Sequence, residues 1–245
     1  MDRYGLLGKN ISYSFSRGYF SEKFKKEGLD SSYENFDIPS ITEFPKVLKE
    51  KNLKGINVTI PYKLEVIPFM DQLDESAEHI GAVNVIKLQE NGTLIGYNSD
   101  YYGFKNSLQP LLKPNTKKAL ILGTGGASKA IAYALKTLGI AYSFVSRTPE
   151  ASQNRISYAD LDKELLASHH LIVNCSPIGT HPKVDQCPDI PYQFLTSDHI
   201  LYDLIYNPEE TLFLKKGKEK GAAICNGLQM LILQADKSWE IWNEK

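Results

Sequence analysis

"KALILGTGGASKAIAYALKTLGIAYSFVSRT", Lys118 to Thr148, changes its periodicity twice. The apolar run Ala119 to Leu122 meets Gly123-Thr124-Gly125-Gly126-Ala127-Ser128, Lys129 to Leu138 has helical composition, Gly139 stops it, and a second apolar run ends at Ser146-Arg147-Thr148. Strand, glycine turn, helix and strand within about 30 residues make a βαβ unit. Glycines at such a turn let backbone amides approach a pyrophosphate, whose charge the helix N-terminus stabilises. Ser128 stands where the dinucleotide fingerprint has its third glycine, and a tight turn without a ligand is the alternative. Enzymes that use NAD usually carry an acidic residue at the end of the second strand. Here Arg147 stands between two hydroxyls, and a guanidinium there suits the 2′-phosphate of NADP. A solvated arginine at the sheet edge is the other reading.

Downstream, "HLIVNCSPIG" (170–179) and "HILYDLIYNP" (199–208) read as buried strands that end in Pro or Gly loops. Together these pieces predict a Rossmann-like, doubly wound parallel sheet over 103–226. Upstream, residues 1–102 alternate strand and helix patterns: "YGLLG", a helix from Arg17 to Glu27, "SSYENFDI", a helix opening at "ITEFPKVLKEKN", and "GINVTI". A hairpin then turns at Gln89-Glu90-Asn91-Gly92. This is a second α/β domain. The last helix, 227–245, carries Leu228, Leu231, Ala235, Trp239 and Trp242 on one stripe and is expected to pack back on residues 1–102.

Composition narrows the function. The chain has 245 residues, 42% hydrophobic and 23% charged, with 28 Lys+Arg against 29 Asp+Glu. No long basic run offers a nucleic-acid or membrane surface, and no apolar run reaches the ~18 residues a membrane span needs. A cytoplasmic protein with reduced Cys175, Cys187 and Cys225 is expected. Neither the cysteines nor the five histidines have metal-ligand spacing, so no metal is expected.

Two residues stand out as candidates for chemistry. In "NVTIPYK" (57–63), Pro61 stops a strand and the turn delivers Lys63. In "GYNSDYYGF", Asp100 lies where a hairpin strand passes into a helix. Alone, Lys63 is one of many lysines and Asp100 an N-cap. With Ser14, Ser16, Thr59 and Asn84 they form a polar set at strand ends, where α/β proteins place ligands.

The set "GKNISYSFS", "NVTIPYK", "GAVN", "NSD", "GTGGAS", "SRT", "NCSPIG", "YDLIYNPEETLF" and "NGLQMLILQ" closely resembles the shikimate dehydrogenase family, in that family's order, from Tyr4 to Gln234. The resemblance implies NADPH-linked, reversible reduction of 3-dehydroshikimate to shikimate by a monomer or homodimer. It makes Lys63 and Asp100 the catalytic pair. It gives Ser14 and Ser16 to the substrate carboxylate, and Thr59, Asn84 and Gln234 to its hydroxyls or neighbouring groups, with Tyr206 close by. The cofactor would meet Gly123, Thr124, Gly125, Gly126, Ala127, Ser128, Ser146, Arg147 and Thr148, and backbone from Leu204 and Gly227. Without the resemblance, Gln234 reads equally well as a solvent-facing or helix-packing glutamine. The chain departs from the pattern at Tyr13, Arg17, Asn226 and Gln229, and it is short after Thr148, where Glu150 or Arg155 could fold back.

Overall fold

A computed structural model describes residues 1–12, 14–148, 150 and 154–244. The chain divides into two compact units, residues 1–99 with 235–245, and residues 100–234.

The second unit is a six-stranded parallel sheet in the order β12-β11-β10-β7-β8-β9. Its strands are β7 (Lys118–Leu122), β8 (Ala141–Ser146), β9 (Arg155–Ser157), β10 (Leu171–Asn174), β11 (Ile200–Asp203) and β12 (Ala223–Cys225). Helix α4 (Asp100–Leu108) leads into β7, and helices α5 (Gly126–Thr137), α6 (Lys163–Ser168) and α7 (Leu212–Lys218) lie between later strands. Side chains alternate across a strand, so a sheet covered on both faces needs continuous apolar strands. Ala119 and Ile121 enter one core with Leu171, Val173, Ile200 and Tyr202. Leu120, Leu122, Ile172 and Leu201 enter the other. Each fully buried leucine or isoleucine is worth about 1.5–3 kcal/mol. The two strands that close these runs end on a polar residue, Asn174 or Asp203.

The first unit is a mixed sheet in the order β2-β1-β3-β5-β6-β4. Its strands are β1 (Asp2–Gly8), β2 (Ser31–Asp37), β3 (Leu53–Val58), β4 (Gln72–Leu73), β5 (Val85–Leu88) and β6 (Leu94–Tyr97). The β1 pairings are parallel, while β3-β5 and β5-β6 are antiparallel. Its helices are α1 (Phe15–Glu27), α2 (Phe44–Val47) and α3 (Glu75–Ile80). The expected hairpin forms, with Gly92 at φ 88°.

Three expectations need correction. The helix expected from Ile41 is a 3-10 turn, Ile41–Glu43, followed by only four α-residues, because Asn52 turns the chain at φ 60° into β3. Strand β3 stops at Val58 rather than Ile60, which lies beyond the sheet and is 72% exposed. On α8 (Leu228–Asn243), Leu228 is exposed, and the buried positions are Met230, Gln234, Ala235, Ser238, Ile241 and Trp242.

The unit boundary falls inside α8 rather than at its start. Its first turns pack on α4, where a Cβ on Gly103 would lie 2.5 Å from the Met230 carbonyl. Its last turns pack on the first sheet, where a Cβ on Gly55 would lie 2.3 Å from Trp242 Nε1. That nitrogen donates to the Ile86 carbonyl at 3.0 Å. No described helix is long and apolar enough to cross a membrane.

Candidate active site

In the first unit the predicted polar residues gather at the carboxyl ends of β1 and β3. Thr59 N donates to Leu7 O at 2.9 Å, and Gly8 makes room for the threonine methyl, which a Cβ there would meet at 2.6 Å. Tyr62 N then donates to Thr59 O at 3.0 Å, closing a turn across Ile60 and Pro61. The buried Tyr62 ring anchors that turn, its hydroxyl donating to Ile38 O at 2.7 Å. Val83 N donates to Lys63 O at 2.8 Å, so the backbone of Lys63 is pinned on both sides and its side chain is half-buried. Sequence reasoning thus found the turn, while the structure supplies the anchors.

The same hydrogen bond pattern ties Asn84 to this cluster. Val58 N donates to Asn84 O at 2.8 Å, and Ser99 N donates to Asn84 Oδ1 at 2.6 Å. The loop bearing Ser14 and Ser16 hangs on Asp37, which accepts from Asn10 N at 2.9 Å and Ile11 N at 3.0 Å. Ser14 precedes α1 in extended backbone, and its hydroxyl makes no capping bond. Ser16 is buried in the first turn. Tyr13 lies outside the described residues. Arg17 is exposed on α1.

Asp100 and Gln234 stand at the two points where the chain leaves and re-enters the first unit. Asp100 is the first residue of α4 rather than its cap and is 7% exposed. Gln234 is buried on α8 and donates to Leu231 O at 3.0 Å.

In the second unit, the glycine turn is built as predicted. Gly123 sits at φ 106°, a conformation open to glycine. A Cβ on Gly125 or Gly126 would meet nothing within 4 Å, so these two glycines relieve no crowding inside the protein. Gly125 begins α5 without a side-chain cap, which leaves the helix N-terminus facing open space. Thr124 is exposed and Ala127 half-buried. Ser128 is buried; its hydroxyl and its backbone N–H both donate to Gly125 O, at 2.6 and 3.0 Å, so it braces the turn. Ser146 Oγ accepts from Thr148 N at 3.2 Å and leaves Arg147 exposed at the bend. Glu150 pairs with Arg155 at 3.6 Å and bridges its backbone, so the two residues that could have folded back engage each other.

Residues near Leu204 and Gly227 reveal what sequence reasoning missed. Asp203, fully buried, accepts from Asn174 Nδ2 at 3.0 Å, Ile205 N at 3.1 Å and Thr211 Oγ1 at 2.6 Å. Burial pushes its carboxyl up to about 6, although these three donors oppose the rise. The carboxylate thereby fixes the backbone of residues 204 and 205. Gly227 N donates to Ile205 O at 3.1 Å, and a Cβ on Gly227 would lie 2.1 Å from Leu204 O. Tyr206 is 38% exposed on the same loop. The available signal was a polar residue ending a wholly apolar strand. Asn226 caps the turn that opens α8, its Oδ1 accepting from Leu228 N at 3.1 Å. Gln229 points to solvent. Among the described residues no group of metal-binding side chains occurs.

Residues 6–86 match the shikimate dehydrogenase substrate binding domain. The shikimate dehydrogenase (NADP(+)) of Carboxydothermus hydrogenoformans is 41% identical over 97% of this chain and 90% of its own. Shikimate 5-dehydrogenase of Thermus thermophilus, solved with NADP(H) and shikimate, superposes with a TM-score of 0.87 at 31% identity, covering 99% of this chain and 94% of that one. That of Listeria monocytogenes, solved with shikimate and NAD, gives 0.89 at 27% identity, covering 100% and 92%. With this much of its length shared, the chain belongs to the shikimate dehydrogenase family.

Proposed function

We propose that this protein catalyses the reversible, NADPH-dependent reduction of 3-dehydroshikimate to shikimate, a reaction of aromatic amino acid biosynthesis. The observation that carries the reading is the convergence of Thr59, Lys63 and Asn84 at strand ends of the first unit, on backbone pinned by Leu7, Tyr62 and Val83.

Bound NADPH supplies the hydride for the carbonyl carbon. The open N-terminus of α5 and the backbone of Gly123 to Ser128 suit its pyrophosphate. Arg147, with Ser146 and Thr148, suits the 2′-phosphate. Backbone at Leu204 and Gly227 suits the nicotinamide amide. As the ketone is reduced, negative charge grows on its oxygen. The Lys63 ammonium stabilises that charge and gives up a proton to it, help worth ~10² to 10⁴ in rate. In the reverse direction the same amine takes the proton from the alcohol. Asp100 is the second member of the pair and accepts from a substrate hydroxyl. Ser14 and Ser16 take the ring carboxylate, and Thr59, Asn84 and Gln234, with Tyr206, are assigned to its hydroxyls and neighbouring groups.

Steady-state kinetics with shikimate or quinate, each with NADP⁺ or NAD⁺, test the reading. The highest kcat/KM is expected for shikimate with NADP⁺. Equal values for the two cofactors would overturn the role of Arg147. Preference for quinate and NAD⁺ would identify a quinate dehydrogenase, and no turnover in any pairing a binding protein that has lost catalysis.

A further inference from the structure

Five side chains in the first unit, Tyr33, Asn57, Ser238, Ser99 and Asn84, form one continuous hydrogen-bonded chain, and all are less than a tenth exposed. Tyr33 Oη donates to Asn57 Oδ1 at 2.9 Å. Asn57 Nδ2 donates to Ser238 Oγ at 2.8 Å and to Asn84 O at 3.3 Å. Ser238 Oγ lies 3.3 Å from Ser99 Oγ, which accepts from Asn84 Nδ2 at 3.1 Å.

Two backbone groups dictate which way each link points. Asn84 O can only accept, so the amide of Asn57 must turn its nitrogen toward it. Its oxygen then faces Tyr33, whose phenol must donate. At the other end Ser99 N can only donate, so Asn84 must present its oxygen there at 2.6 Å and its nitrogen to Ser99 Oγ. Ser238 is where these two fixed directions meet. It is fully buried on α8 and accepts from Asn57. A serine there has no packing advantage over alanine on a helix face that buries Ala235 and Ile241.

We infer that Ser238, with Asn57 and Ser99, is a positioning residue for substrate recognition: it locks the donor and acceptor ends of the Asn84 amide, and so selects which ring hydroxyl pattern the site accepts. This rests on the reading that Asn84 contacts substrate. Orienting an amide sets substrate binding, whereas proton transfer is assigned to the Lys63 amine, so the device is expected to act on KM rather than kcat. A fully connected buried polar network specifies one arrangement, whereas a broken one permits several.

Ser238→Ala and Ser99→Ala each remove one oxygen and test the inference by steady-state kinetics, with Asn84→Ala as the reference. Both serine variants are expected to raise KM for shikimate by roughly 5- to 20-fold. Expected alongside are kcat within about twofold and KM for NADP⁺ unchanged. The double variant is expected to fall short of the product of the single effects, because both cut the same chain. If Asn84→Ala raises the shikimate KM and neither serine variant does, the positioning role is wrong and the substrate reading stands. If Asn84→Ala also leaves KM unchanged, the substrate reading beneath it fails. Parallel loss of kcat, both KM values and thermal stability would make Ser238 a packing residue only. Should Ser238→Ala not fold, Ser99→Ala carries the test, since the backbone N–H that holds Asn84 remains.

Discussion

The two units solve the same problem, fixing loops at strand ends, with different chemistry. Around Asn84 the first unit builds a network of hydroxyls and amides from Tyr33, Asn57, Ser238 and Ser99, although its loop bearing Ser14 and Ser16 hangs on the Asp37 carboxylate. The network's one titratable member, Tyr33, has its pKa raised by burial, away from neutral pH. The second unit hangs residues 174–178 and 203–211 on one buried carboxylate, Asp203. Hydroxyl and amide bonds define polarity and do not change with pH. A buried carboxylate makes stronger bonds but brings a desolvation cost that depends on its proton. The hydroxyl and amide network around Asn84 is therefore indifferent to pH, and the carboxylate anchor of the backbone at Leu204 and Ile205 is not.

The largest effect separates recognition from chemistry in the first unit. Lys63→Ala should lower kcat by about 10² to 10⁴ while KM for shikimate moves only a few-fold. The opposite split would make the lysine part of the binding network and erase the distinction between neutral recognition and charged catalysis.

Next comes the carboxylate of the second unit. At about 1.4 kcal/mol for each tenfold change in proton affinity, a rise from 3.8 to about 6 in Asp203 amounts to about 3 kcal/mol. Because the folded-state value is the higher one, this stabilisation is complete below pH 3.8 and is lost as pH rises to about 6. Urea unfolding of the wild type against Asp203→Asn should therefore show the wild type losing relative stability between pH 4 and pH 7 by about that amount. A constant difference across this range would mean that Asp203 titrates as an ordinary surface carboxylate.

Smaller again is the cofactor clamp. Arg147→Ala should raise KM for NADP⁺ by about 10- to 100-fold through the loss of charge-assisted bonds, with KM for NAD⁺ unchanged. The smallest effect is the most diagnostic of the turn. Since a Cβ on Gly126 meets nothing within 4 Å, Gly126→Ala should leave the fold intact or stabilise it by about 0.5–1 kcal/mol. The same variant should bind NADP⁺ more weakly, because the methyl group occupies space kept for the pyrophosphate. Unchanged affinity would reduce the glycine turn to a tight bend.

Local signals made much of this legible in the sequence. The glycine turn, the Asn91-Gly92 hairpin and the Pro61 turn each depend on residues a few positions apart, and each forms. Apolar runs also told that β7, β10 and β11 are buried on both faces. What stayed hidden depends on partners far along the chain. Ser238 reads as a helix-surface serine until Asn57 is placed opposite it, 181 residues away. Leu228 completes an apolar stripe by spacing, yet Asn226 accepts from its backbone N–H at the helix start, and the leucine side chain faces solvent while Met230 enters the core. Asp203 resembles any aspartate at a strand end until Asn174 and Thr211 close around it.

Hydrogen–deuterium exchange with each ligand alone tests the division of labour directly. Shikimate should slow exchange at amides of residues 57–63 and 81–84, and NADP⁺ at amides of residues 123–128 and 146–148. Protection of the glycine turn by shikimate alone, or of residues 57–63 by NADP⁺ alone, would contradict the assignment of substrate to the first unit and cofactor to the second.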